Sequence, residues 1–140
     1  MSAKIKTTRS TPKATRPPKA PKSGKKVAEW GVPRLRIIMS KGHLGPGKID
    51  LLEAIARTGS ISAAAREMDM SYRRAWLLVD ALNQIFARPL VVAAPGGARG
   101  GGAQITEFGK AVAAAYRRIE QKTRTAIREE IGRLEVDGGR

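Results

Sequence analysis

A mainly α fold with a small β wing is predicted for this 140-residue chain by three observations. The stretch from Gly59 to Trp76 has the spacing of two short helices locked at a tight turn, with a basic face on the second. Two short apolar strands around a Gly-rich tip follow those helices. A last helical pattern then continues for about thirty residues with one apolar stripe. Together they specify a winged helix-turn-helix with a long C-terminal dimerisation helix. Length and composition divide the chain into a basic tail over residues 1–30 and a domain over residues 31–137.

The tail comes first. Residues 1–26 carry nine Lys or Arg, no acid, four Pro and almost no large apolar residue. Such a segment cannot bury enough surface to offset its chain entropy, so disorder is expected. Arg34 to Met39 holds Leu35, Ile37 and Ile38 in weak alternation and reads as a short strand after Pro33. Gly42 to Gly47 reads as a turn-rich connector. A first helix is expected from Lys48 to Thr58, with Ile49, Leu52, Ile55 and Ala56 on its buried stripe. Gly59 stops it, since glycine accepts the positive φ that follows a helix end.

A second helix is expected from Ser62 to Met68, capped by Ser60 or Ser62. Ala65 supplies the small residue where the two helices touch. Ala64, Met68 and Met70 supply buried apolar groups on either side of the turn. Asp69 sits in the turn and tolerates a left-handed backbone better than most residues. Ser71 caps a third helix that continues to about Phe86, with Ala75, Leu78, Val79, Leu82 and Phe86 inward. Trp76 is assigned to the core, between the first and third helices, with a contact to the DNA backbone as the alternative.

Leu90 to Ala93 and Ala103 to Ile105 read as strands, and the glycines between them as the tip of a wing. A nucleotide-cradling loop is excluded because no Lys-Ser or Lys-Thr pair follows those glycines. Thr106 caps the last helix, expected from Glu107 to Val136, about 45 Å long at 1.5 Å per residue. Its stripe is Val112, Ala115, Ile119, Ala126, Ile127, Ile131 and Leu134. A domain this small cannot cover that length, so the distal half is expected to pack on a second copy as a two-fold homodimer. Arg117, Arg118, Lys122, Arg124 and Arg128, interleaved with Glu120, Glu129 and Glu130, read as an ordinary solvated face.

Charge and chemistry narrow the function. The net charge is +15, and residues 27–140 still hold eighteen basic against twelve acidic groups. There is no Cys and one His, His43, in a connector, so no disulfide framework or cysteine nucleophile is available and a metal site is not expected. No catalytic set of Ser, His and acid is visible, so the protein reads as a non-enzyme without a cofactor. No apolar run reaches the ~20 residues of a membrane span, and the tail lacks the apolar region of a secretory signal.

Double-stranded DNA is the partner this pattern fits. Ser71, Tyr72, Arg73 and Arg74 stand at the start of the third helix, where a recognition helix meets base edges and phosphate. An arginine there can pair with the O6 and N7 of guanine or grip a phosphate. Ser60 and Ser62 can offer hydroxyl and backbone N–H groups to phosphate. In the wing, Gly96, Gly97, Gly100, Gly101 and Gly102 let the backbone approach a sugar-phosphate rail, and Arg99 offers a cation in or beside the minor groove. The tail would add non-specific phosphate contacts.

From Gly59 to Lys110 the chain resembles the N-terminal DNA-binding domain of the ModE family, the bacterial molybdate-responsive regulators. The resemblance rests on Gly59-Ser-Ile-Ser62, Ala65, Ser71-Tyr-Arg73, Ala75-Trp76, Asn83, Leu90-Val91, the split glycine cluster through Ala103, Thr106 and Gly109. A broader similarity, through Gly-Ser-Ile-Ser-Ala-Ala-Ala and Thr106-x-x-Gly109, is to the winged domain of LysR-type regulators. The resemblance spans about residues 34–130. It implies a dimer through the first and last helices, an inverted-repeat operator, Ser71, Tyr72 and Arg73 in the major groove, and a wing from Gly96 to Gly102. Full-length regulators of that family also carry C-terminal molybdate-binding domains; no molybdate site is expected within this chain, so a response to molybdate would need a partner.

The reading is therefore a cytoplasmic bacterial transcriptional regulator, nucleoid-associated through DNA. Its half-sites would lie about one helical turn apart, about 34 Å. The alternatives are a nucleoid-type architectural protein with little sequence preference and, more remotely, an adaptor using the fold without DNA.

Overall fold

Local sequence sets each boundary in the computed structural model, which describes residues 31–95 and 102–138. The basic tail and residues 96–101 of the wing tip lie outside the described residues. The chain opens with β1 (Ile37–Met39) and β2 (Gly42–Leu44), antiparallel, with Ile37 opposite Leu44 and Met39 opposite Gly42. Of the strand expected over Arg34 to Met39, Ile37–Met39 forms and residues 34–36 do not join it. The stretch expected to be a connector, however, contributes a strand through Gly42, His43 and Leu44. Gly42 makes this possible: its φ of +146° closes the turn, and its lack of a side chain leaves room for Ile85.

Helix α1 (Pro46–Thr58) begins two residues earlier than expected, because Pro46 fits the first helical turn. It ends at Gly59 in the left-handed region, φ +70°, whose N–H donates to the Ile55 carbonyl. Ile49, Leu51, Leu52, Ala54 and Ile55 are fully buried. Ala56, assigned to that stripe, is exposed. The buried arc of the helix is broader than that stripe and includes Leu51 and Ala54. Helix α2 (Ile61–Glu67) packs against α1 and against α3 (Tyr72–Ile85). Ala64 and Ala65 are buried where these helices meet, and their small side chains allow the close approach.

Strands β3 (Val91–Ala94) and β4 (Gly102–Ile105) form the second antiparallel pair, with Val91 opposite Ile105 and Ala94 opposite Gly102. Helix α4 (Glu107–Gly138) follows. Thr106 caps it, its Oγ1 accepting from the Gly109 N–H at 2.9 Å. Gly109 is required for a different reason. A Cβ there would collide with the Leu90 carbonyl oxygen and stand 2.7 Å from the Ile105 side chain, so glycine lets α4 start directly against the sheet.

The first half of α4 completes the core with Val112, Ala113 and Tyr116. Arg117 and Glu120 are not on a solvated face, as had been expected. Arg117 binds Glu53 through Nε and Nη2 at 3.0 and 2.8 Å, Asp50 through Nη2 at 2.6 Å, and Glu120 through Nη1 at 2.9 Å. Glu120 is buried. The pairing joins α4 to α1 and needs groups more than sixty residues apart, which spacing along one helix does not reveal. The three carboxylates raise the Arg117 pKa further above its already high range, chiefly through the Glu53 bond.

Candidate nucleic-acid interface

The corner between α1 and α2 is held by hydroxyl groups. Thr58 Oγ1 donates to the Ala54 carbonyl at 2.8 Å and receives the Ser60 N–H at 3.3 Å. Ser60 is the N-cap of α2, its Oγ accepting from Ala63 N at 3.1 Å. Ser62 Oγ accepts from Arg66 at 3.2 Å. The turn into α3 is closed by the Met70 N–H donating to the Ala65 carbonyl at 3.0 Å, with Asp69 at φ +56°. Ser71 caps α3 through its Oγ and the Arg74 N–H at 3.1 Å.

This capping fixes which side chains leave the body. At about 100° per residue, α3 turns Ala75 and Leu82 into the core, and both are fully buried. Arg73 and Leu77 point directly away from it, with Tyr72 and Arg74 on either side. All four are exposed. Among the described residues neither Arg73 nor Arg74 has an ion-pair partner. Both cations therefore stand on the open face of the helix, hydrated and available to an acceptor.

Trp76 departs from expectation: it is 48% exposed. One residue past Ala75 is enough to rotate it out of the α1 contact. It lies instead beside Tyr72 one turn earlier, in a shallow cleft between α3 and the wing that Asp80, Val92 and Ala103 also line.

The wing is tied to α3 by Asn83. Its Nδ2 donates to the Val91 carbonyl at 3.0 Å, and its Oδ1 accepts the Leu90 and Val91 N–H groups at 2.8 and 3.1 Å. The Ala103 N–H donates to the Gly59 carbonyl at 3.0 Å, which joins the wing to the α1–α2 corner as well. The strands of the wing are thus bonded both to α3 and to the α1–α2 corner. Gly96, Gly97, Arg99, Gly100 and Gly101 lie outside the described residues; Gly102 opens β4. The bridging role of Asn83 was not read from the sequence. An asparagine on the inner edge of a helix, just before a strand, was the available signal.

The geometry can be set beside known proteins. Residues 47–110 match the family described as bacterial regulatory helix-turn-helix protein, lysR family. Over 78 residues the chain is 54% identical to the molybdenum-pterin-binding protein MopB of Rhodobacter capsulatus, covering 56% of this chain and 29% of that protein. It is 37% identical over 84 residues to the DNA-binding transcriptional dual regulator ModE of Escherichia coli K12, covering 60% of this chain and 32% of that one. The chain spans about a third of the length of these curated relatives. Among solved structures, the DNA-binding domain of CbnR in complex with DNA aligns with 23% identity and a TM-score of 0.49, over 61% of this chain and 94% of that one.

Proposed function

We propose that the chain is a sequence-specific, DNA-binding transcriptional regulator, a reading supported by the match of residues 47–110 to the bacterial regulatory helix-turn-helix family of lysR type. The carrying observation is the first turn of α3, where Arg73 and Arg74 face solvent while Ala75 is fully buried. Helix α3 enters a major groove, with Arg73 reading base edges and Tyr72 and Ser71 at the groove wall. The N-terminus of α2, with Ser60 and Ser62, faces a phosphate. The wing, through Gly96, Gly97, Arg99, Gly100, Gly101 and Gly102, follows an adjacent minor groove. The basic N-terminal tail adds phosphate contacts. Similarity to MopB and ModE supports target genes connected with molybdenum. The proposed site of action, following from the DNA-binding reading, is the bacterial cytoplasm. No helix among the described residues is long and apolar enough to cross a membrane.

The unit that binds is a homodimer on an inverted repeat. Its support is the distal half of α4, where Ile131 and Leu134 are 38% and 65% exposed. An apolar groove beside α4, lined by Ile37, Leu44, Phe86, Phe108 and Ala115, offers a second copy further surface.

Arg73→Ala is the direct test. Its affinity for a selected duplex should fall by about 1–3 kcal/mol, while affinity for a scrambled duplex stays nearly unchanged. Equal weakening of both would reduce Arg73 to a phosphate contact. Deleting residues 1–26 should lower the salt dependence of binding on both duplexes; an unchanged slope removes the tail from the interface.

A further inference from the structure

A second basic surface lies on the other flank of α3. The cleft between β1–β2, the start of α1 and α3 is lined by Arg34, Arg36, His43, Lys48 and Arg74, with no carboxylate among its lining residues. Its positions on α3 are Arg74, Leu78 and Ala81, whereas the wing cleft uses Tyr72, Trp76, Val79 and Asp80. At 100° per residue the two sets sit about half a turn apart. The outward ridge of Arg73 and Leu77 runs between them.

Three features of this cleft suit an oxyanion. Arg34 and Arg36, just before β1, are exposed between the half-buried Pro33, Leu35 and Ile37, and both line the cleft. Their backbone is anchored, because the buried Tyr116 donates its hydroxyl to the Leu35 carbonyl at 2.7 Å. Lys48 is only 8% exposed, and its ammonium has one neutral acceptor, the His43 carbonyl at 2.9 Å, with no carboxylate partner among the described residues. A buried cation without a counter-ion is costly unless something anionic reaches it.

The start of α1 adds donors. Gly45 offers no side-chain cap and the first turn holds no acid, so the N–H groups of Gly47 and Lys48 lack the acceptors that usually serve a helix N-terminus. Burial and the neighbouring charges of Lys48 and Arg36 hold the His43 imidazole below its ordinary range, and burial and Arg36 do the same to Lys48.

We propose that this cleft holds a backbone phosphate of the duplex read by α3, so that the protein grips both flanks of the groove, with its wing on one side and β1–β2 on the other. The proposal rests on the DNA-binding reading above. Arg74 carries the assignment to a DNA phosphate: it belongs at once to the exposed first turn of α3 and to the cleft.

The test is the Arg34→Ala/Arg36→Ala double variant of the full chain, measured against selected and scrambled duplexes over a range of salt. Both affinities should fall together, on the order of tenfold at fixed salt, and the slope of log K against log salt should drop by about 1 to 2. Their ratio should be kept, unlike that of Arg73→Ala. His43 is the single histidine of the chain, so its NMR titration is a second readout. Duplex binding should raise its pKa, because a phosphate opposes the charges of Arg34, Arg36, Lys48 and Arg74. An unchanged slope, or a His43 titration unmoved by duplex but moved by inorganic phosphate, overturns the proposal. If the wild type shows no preference between duplexes, the sequence-specific reading fails, and the slope comparison still decides the cleft.

Discussion

The two halves of α4 share one apolar periodicity and meet opposite fates. In the first half, Val112, Ala113 and Tyr116 are buried, Glu120 is enclosed, and Arg117 ties the helix to Asp50 and Glu53 of α1. In the second half the same stripe continues through Ile127, Ile131 and Leu134, yet Leu134 is 65% exposed. The helix is 32 residues long, about 48 Å, and the rest of the domain reaches only its beginning. Periodicity therefore states that a face is to be covered. It does not state by what. For the first half the answer lies in the same chain; for the second, the dimer proposal supplies it.

Three experiments probe this contrast, beginning with the largest effect. Tyr116→Ala removes a buried ring and its bond to Leu35, and should cost about 3–5 kcal/mol in urea unfolding. Leu134→Ala, measured in the monomeric range, should stay within about 0.5 kcal/mol of wild type. Comparable losses at the two sites would erase the distinction.

The triple variant Ile127→Glu/Ile131→Glu/Leu134→Glu comes next. It should weaken self-association about a hundredfold or more, equivalent to about 2.7 kcal/mol, as read by sedimentation, while the domain core unfolds as before. A wild-type protein that is monomeric throughout would show that the distal stripe has no such partner.

The smallest effect concerns pH. Burial, reinforced by the charge of Glu120, raises the Tyr116 phenol above its ordinary value of 10.0. The unfolded chain then loses this proton first as pH rises. Stability is therefore full below about pH 10 and declines above it, toward the folded-state value. Tyr116→Phe should flatten that decline relative to wild type in alkaline unfolding curves. An identical decline in both would assign it to other groups.

Much of the fold was legible because single residues enforce it locally. Gly59, Asp69 and Ser71 were read as stop, turn and cap, and they act as such through φ of +70°, φ of +56° and a hydroxyl on the Arg74 N–H. The misjudged residues depend on packing from elsewhere. Trp76 reads from the sequence as a core residue, but its angular position on α3 turns it to the wing cleft. Gly42 to Leu44 was read as a connector because turn residues dominate it, but β1 supplied a pairing partner. The alternation from Arg34 to Met39 marks a strand through its apolar members and does not show that Arg34 and Arg36 meet Lys48 and Arg74.

By itself, then, the sequence determined where helices start and stop, the small residues at the helix crossing, and the cationic first turn of α3, because caps, left-handed turns and side-chain size act within a few residues. Only the tertiary structure decided that Arg117 joins α4 to α1, that Asn83 couples α3 to the wing, and that Arg34, Arg36, Lys48 and Arg74 share one cleft. Those relations depend on distances between segments far apart in the chain, which are fixed only when the core closes.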